Sequence, residues 1–141
     1  TIGVAESLTG GALGATLSSV AGASAVFRGG IIVYATDLKA SLGGVPVTEL
    51  ASDGPVSART AESLARGAAM RTGADVAIAL TGVAGPDTQD GHEVGTVYLG
   101  WVAGDTVQST LAHFTGDRRA IRSQTVESAL TILLNAVVAE A

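Results

Sequence analysis

The chain has no cysteine, three prolines, few aromatics (4%) and a single lysine among its eight basic residues. Without cysteine there are no disulfides, no thiolate chemistry and no Cys-ligated zinc, which fits a reducing, cytoplasmic setting. Charged residues make up only 15% and the net charge is −5 with no basic cluster, which excludes nucleic acid and anionic membrane as main partners. No apolar run approaches the roughly 20 residues needed to cross a bilayer. Two histidines leave little material for a Ser–His–Asp site.

What the chain does have is 47% apolar residues over 141 positions, enough for one domain spanning 1–141 with a sizeable core. Low charge beside that apolar fraction leads us to expect self-association into a homo-oligomer. Nineteen glycines are scattered without period, so neither a repeat nor a linker is indicated. The chain opens on TIGVAES, a strand-like stretch with no initiating Met. A preceding segment is therefore expected to be missing.

Residues 1–5 read as a buried strand, and SLTGG turns into a helix reaching about Val20, with Leu13, Leu17 and Val20 as its apolar stripe. IIVYA (31–35) is β-branched and reads as a strand. Asp37 is the expected N-cap of a short helix, placing Lys39 in its first turn. Pro46 opens another short helix ending near Asp53, and Ser57 caps a longer one to Thr72, with Glu62 and Arg66 in the favourable i,i+4 order. DVAIAL (75–80) reads as a strand covered on both faces. TVYLGWVA and TVQSTLAHF form a hairpin about Gly104-Asp105, and Asp117 starts a last helix expected to bury Val126, Leu130, Leu133, Leu134 and Val137. The alternation predicts an α/β layered domain with a mixed sheet flanked by helices.

Two glycine loops follow buried strands. SLTGG offers backbone N–H groups and a helix dipole to an anion, or is a tight turn for close packing. TGVAGP (81–86) follows the most buried strand, where ligands gather in open α/β sheets. Together the loops would frame a pocket for a phosphorylated small molecule. Ser24 in AGAS sits in a Gly/Ala surround that leaves its hydroxyl uncrowded; such a serine is otherwise an ordinary turn residue. Asp87, Asp90, His92 and Glu93 have irregular spacing for a cation site, so no metal is expected. Lys39 can serve as a general base only if its pKa falls well below about 10.4, a shift that arginine cannot make; the plainer reading is a surface lysine.

Taken together, AESLTGG, AGASAVFRGGIIVYATDLK, GPVS, TGVAGP, GTVY and FTGDR, in that order, resemble the C-terminal domain of the CinA (competence/damage-inducible) family, also found as stand-alone nicotinamide-mononucleotide deamidase. The resemblance covers essentially the whole chain. It implies a bacterial, cofactor-free hydrolase of pyridine-nucleotide salvage that converts nicotinamide mononucleotide to nicotinate mononucleotide and ammonia through a Ser–Lys acyl-enzyme. On it, Ser24 is the nucleophile, Lys39 the base, and Tyr34 and Arg118 their polar partners. Ser7, Thr9, Gly10, Gly11, Thr81, Gly82 and Gly85 fall at substrate-binding positions. Oxyanion donors are expected near Ser24 or Gly29-Gly30. The alternative is a catalytically silent nucleotide-binding or oligomerising module of a two-domain protein. Two departures stand out: Leu8 occupies a common cysteine position, and DTQDGHEV replaces a Gly-Gly loop after Pro86.

Overall fold

In a computed structural model describing residues 1–141, the strands β1 (Ile2–Glu6), β2 (Phe27–Ile32), β3 (Val76–Gly82), β4 (Thr96–Ala103) and β5 (Thr106–His113) form one sheet in the order β2-β1-β3-β4-β5. β1 runs parallel to β2 and β3, while β4 and β5 complete the sheet as an antiparallel hairpin. The sheet is therefore mixed, as the sequence predicts.

Helices cover both faces. The helices α1 (Ala12–Ser18) and α5 (Arg118–Glu140) pack on one side, and α4 (Ala58–Thr72) on the other. Strand periodicity divides the core accordingly. Val76, Ile78 and Leu80 of β3 join Leu13, Ile121 and Leu133, whereas Ala77 and Ala79 join Leu64, Ala65 and Ala68 of α4. The α4 side is built from small residues, which lets that helix approach closely. Two short helices, α2 (Thr36–Ser41) and α3 (Val47–Asp53), precede α4.

Gly67 shows how tight that side is. A Cβ there would lie 1.9 Å from the Gly43 carbonyl oxygen, a backbone atom that cannot step aside. Helix propensity alone favours Gly67→Ala by about 1 kcal/mol. Overpacking should reverse the sign, with a net loss of about 1–3 kcal/mol in urea unfolding. A stabilised variant would show that α4 can move away from the turn.

Local details depart from the sequence reading. β2 ends at Ile32 because β1 ends at Glu6, so Tyr34 and Ala35 have no strand to pair with. Val20 lies beyond α1 and is exposed. The buried face of α5 is Ile121, Thr125, Ala129, Leu133 and Ala136; of the five expected residues only Leu133 is fully buried, and Leu134 is 64% exposed. Small residues mark the contact because the helix lies close against the sheet. Ala35, not Asp37, is the N-cap residue of α2, with no side-chain cap bond. Pro46 sits at the cap of α3, one residue before its first turn. Glu62 accepts a hydrogen bond from the Ser109 hydroxyl of β5 (2.7 Å) and makes no ion pair with Arg66. No helix is long and apolar enough to cross a membrane.

Candidate active site

β1, β2, β3 and β5 all run toward one sheet edge, so the segments that leave them converge there. Ser7 follows β1, Tyr34 and Lys39 follow β2, the TGVAGP loop follows β3, and Arg118 opens α5 after β5. These segments line a cavity of about 280 Å³, near the small end of ligand pockets. Pro55 and Val56, at the start of the GPVS turn, and Asp87, Thr88 and Gln89 complete its wall.

At the base of the cavity Lys39 is 3% exposed. Its Nζ donates to Ser7 Oγ (2.9 Å) and to the carbonyls of Val33 (2.9 Å) and Tyr34 (3.5 Å). No carboxylate pairs with it. Burial without a counter-ion disfavours the ammonium and lowers the pKa to about 8. The helix dipole is not the cause: Lys39 sits in the last turn of α2, where a cation is favoured, rather than in the first turn as expected. The same three contacts suit the neutral amine. Two N–H bonds can serve the two carbonyls, leaving the lone pair toward Ser7 Oγ.

Ser24 is elsewhere. It lies in a single 3-10 turn (residues 23–25) ahead of β2, exposed, while Lys39 follows the far end of that strand. The six residues of β2 span about 20 Å. The expected Ser24–Lys39 pair is thus corrected to Ser7–Lys39. Gly29 and Gly30, expected near the oxyanion, lie within β2 and do not line the cavity.

Tyr34 and Arg118 meet at the rim. Arg118 donates to the Tyr34 hydroxyl (2.8 Å) and to the Gly85 carbonyl (2.7 Å), tying the β2 and β3 exits to α5. Thr81, fully buried, donates to the Pro55 carbonyl (2.6 Å) and so fixes the GPVS turn beside the cavity. Gly82 and Gly85 line the cavity as well. Thr9, Gly10 and Gly11 do not; Thr9 is fully buried with an unpartnered hydroxyl.

The expected anion site at the SLTGG helix start is already filled. Glu6, only 2% exposed, accepts from the Leu13 N–H (2.8 Å) with one carboxylate oxygen and from the Gly14 N–H (2.9 Å) with the other. A fixed carboxylate thus satisfies the donors that a phosphate would have used. Nothing local in the sequence marks Glu6 for this role, since it reaches seven and eight residues ahead.

Residues 1–137 match the profile of the CinA C-terminal domain. A CinA-like protein from Frankia casuarinae is 47% identical over 133 residues, covering 94% of this chain and 31% of the relative. The chain spans 31–33% of the length of the first two curated relatives it matches. Among solved structures, the competence/damage inducible protein CihA from Agrobacterium tumefaciens superposes with a TM-score of 0.92 at 36% identity, covering 96% of this chain and 84% of that one. The competence damage-inducible protein A from Klebsiella pneumoniae gives 0.93 at 30% identity over 97% and 86%. With one profile spanning nearly every residue and the fold shared end to end, the chain belongs to the CinA C-terminal domain family.

Proposed function

We propose that this chain hydrolyses the carboxamide of nicotinamide mononucleotide, with Ser7 as nucleophile and Lys39 as general base. The observation that carries the reading is the 2.9 Å contact between a buried lysine without a counter-ion and a serine hydroxyl on a cavity wall. The substrate class comes from the motif resemblance, and the chemistry of the cavity supports it.

Neutral Lys39 takes the Ser7 proton as Oγ attacks the carboxamide carbon. The tetrahedral intermediate collapses with loss of the amide nitrogen, which leaves as ammonia after taking the proton back from Lys39. Water then attacks the Ser7 acyl ester, passing its proton through Lys39 to the released Oγ, and nicotinate mononucleotide departs. No cofactor is required for this balance. Arg118 supplies the rim with positive charge suited to the substrate phosphate, and Asp87 provides a carboxylate on the same wall for ribose hydroxyls.

The test is ammonia and nicotinate mononucleotide release from nicotinamide mononucleotide, compared with nicotinamide riboside and nicotinamide. Turnover should need the phosphate, with kcat/KM falling at least about tenfold on its removal, the loss of roughly one charge-assisted contact. Equal turnover of the riboside would remove the phosphate role. Binding that raises the melting temperature without turnover would instead favour a silent nucleotide-binding module.

A further inference from the structure

Arg122 lies one turn beyond Arg118 on α5, half-buried in the seam between α1 and α5, and it does not line the cavity. Its Nε donates to the Leu8 carbonyl (2.9 Å) and its NH2 to the Thr9 carbonyl (3.0 Å). Both acceptors belong to the turn that carries Ser7. An arginine fork spent on two successive carbonyls of one loop fixes the orientation of those peptide planes.

That orientation matters for the N–H groups. The Ser7 carbonyl is taken by the Gly10 N–H (3.0 Å), and the Leu8 carbonyl by Arg122. Both peptides are trans, so the Leu8 and Thr9 N–H groups point away from these acceptors. Neither N–H donates to any protein atom. Yet Leu8 and Thr9 are buried, a setting in which free backbone donors are uncommon. Of the two residues Leu8 lines the cavity, and an unspent N–H immediately after a serine nucleophile is what a developing oxyanion needs.

We propose that Arg122 is a positioning residue: its bond to the Thr9 carbonyl fixes the peptide whose Gly10 N–H holds the Ser7 carbonyl, so that the Leu8 N–H, on the Ser7–Leu8 peptide, is held ready for the oxyanion formed on attack by Ser7. This rests on the amidase reading above. Glu6 holds the start of α1 on the loop's other side, so the turn is fixed at both ends and reorganises little when charge develops.

The test uses Arg122→Gln and Arg122→Lys with nicotinamide mononucleotide and with its thioamide analogue, in which sulfur replaces the carboxamide oxygen. Melting temperature is read in parallel. Sulfur is a poor hydrogen-bond acceptor, so a working oxyanion site prefers the amide. Arg122→Gln is expected to lower amide kcat about 10- to 100-fold with KM unchanged, and to narrow the amide/thioamide rate ratio. Arg122→Lys, which keeps the cation but loses the fork, should fall between; should the glutamine variant not fold, the rate ratio of the lysine variant decides. Equal losses on both substrates, or wild-type kcat in either folded variant, would overturn the role of Arg122 while leaving the amidase standing. No ammonia from the wild-type protein would instead sink the amidase reading, and this inference with it.

Discussion

Ser7→Ala is expected to abolish ammonia release, lowering kcat by about 10⁴- to 10⁶-fold, while Ser24→Ala turns over like the wild type. The contrast follows from position. Ser7 Oγ is 2.9 Å from the only lysine in the protein, and Ser24 sits exposed at the other end of β2. Stability should separate the two less than activity does. Ser24→Ala changes a surface side chain and should shift unfolding by less than about 0.5 kcal/mol. Ser7→Ala takes one partner from Lys39 but leaves the Val33 and Tyr34 carbonyls in place. Steady-state ammonia release and mass spectrometry of the trapped acyl-enzyme would check both variants. An acyl group on Ser24, or a Ser7→Ala protein that still turns over, would end the assignment.

Ser24 reads as a nucleophile only through the motif resemblance; its own surroundings mark an ordinary turn serine. Ser7 and Ser24 both lie in glycine-containing turns. What separates them is the direction in which parallel strands run. Ser7 follows a strand and Ser24 precedes one, so they emerge at opposite sheet edges. Ligands gather at the carboxyl ends of strands, and that rule selects Ser7 over Ser24.

Other parts were legible for local reasons. The hairpin about Gly104, the Ser57 cap (accepting from the Thr60 N–H at 3.1 Å) and the Asp117 cap (accepting from the Ala120 N–H at 2.8 Å) depend on neighbouring residues, and these the sequence displays. Illegible parts depend on distant ones. Glu6 answers N–H groups on a helix it precedes by several residues, and Arg122 answers carbonyls more than a hundred residues away. Apolar size is a poor guide to the buried face of α5. Close packing against the sheet favours Thr125, Ala129 and Ala136, and leaves Leu134 in solvent. A spacing signal for Arg122 did exist: it lies four residues after Arg118, and so on the same helix face.

Lys39→Met should separate what the amine does for catalysis from what it costs the fold. Without the base, kcat is expected to drop by about 10²- to 10⁴-fold or more, and Lys39→Arg should be no better because a guanidinium keeps its proton. The wild-type rate should climb with pH and level off above an apparent pKa of about 8, as the free base accumulates. Stability should move in the opposite sense to activity. In the unfolded chain the amine holds its proton up to its ordinary value of 10.5, whereas in the folded protein it releases it at about 8. Between those values the unfolded state binds more protons, so the lysine protein gains stability as pH rises through the window. Below pH 8 both states are protonated, and the burial cost of the ammonium is felt in full. Lys39→Met removes that cost, against the loss of the donor to the buried Val33 carbonyl, so its stability relative to the wild type should be most favourable at pH 7. That relative stability should fall steadily toward pH 10.5. Urea unfolding of both proteins at several pH values measures this difference directly, and the subtraction cancels groups that titrate in both. A difference that stays constant across the window would mean that Lys39 keeps its proton in the folded protein. An amine that keeps its proton cannot take one from Ser7.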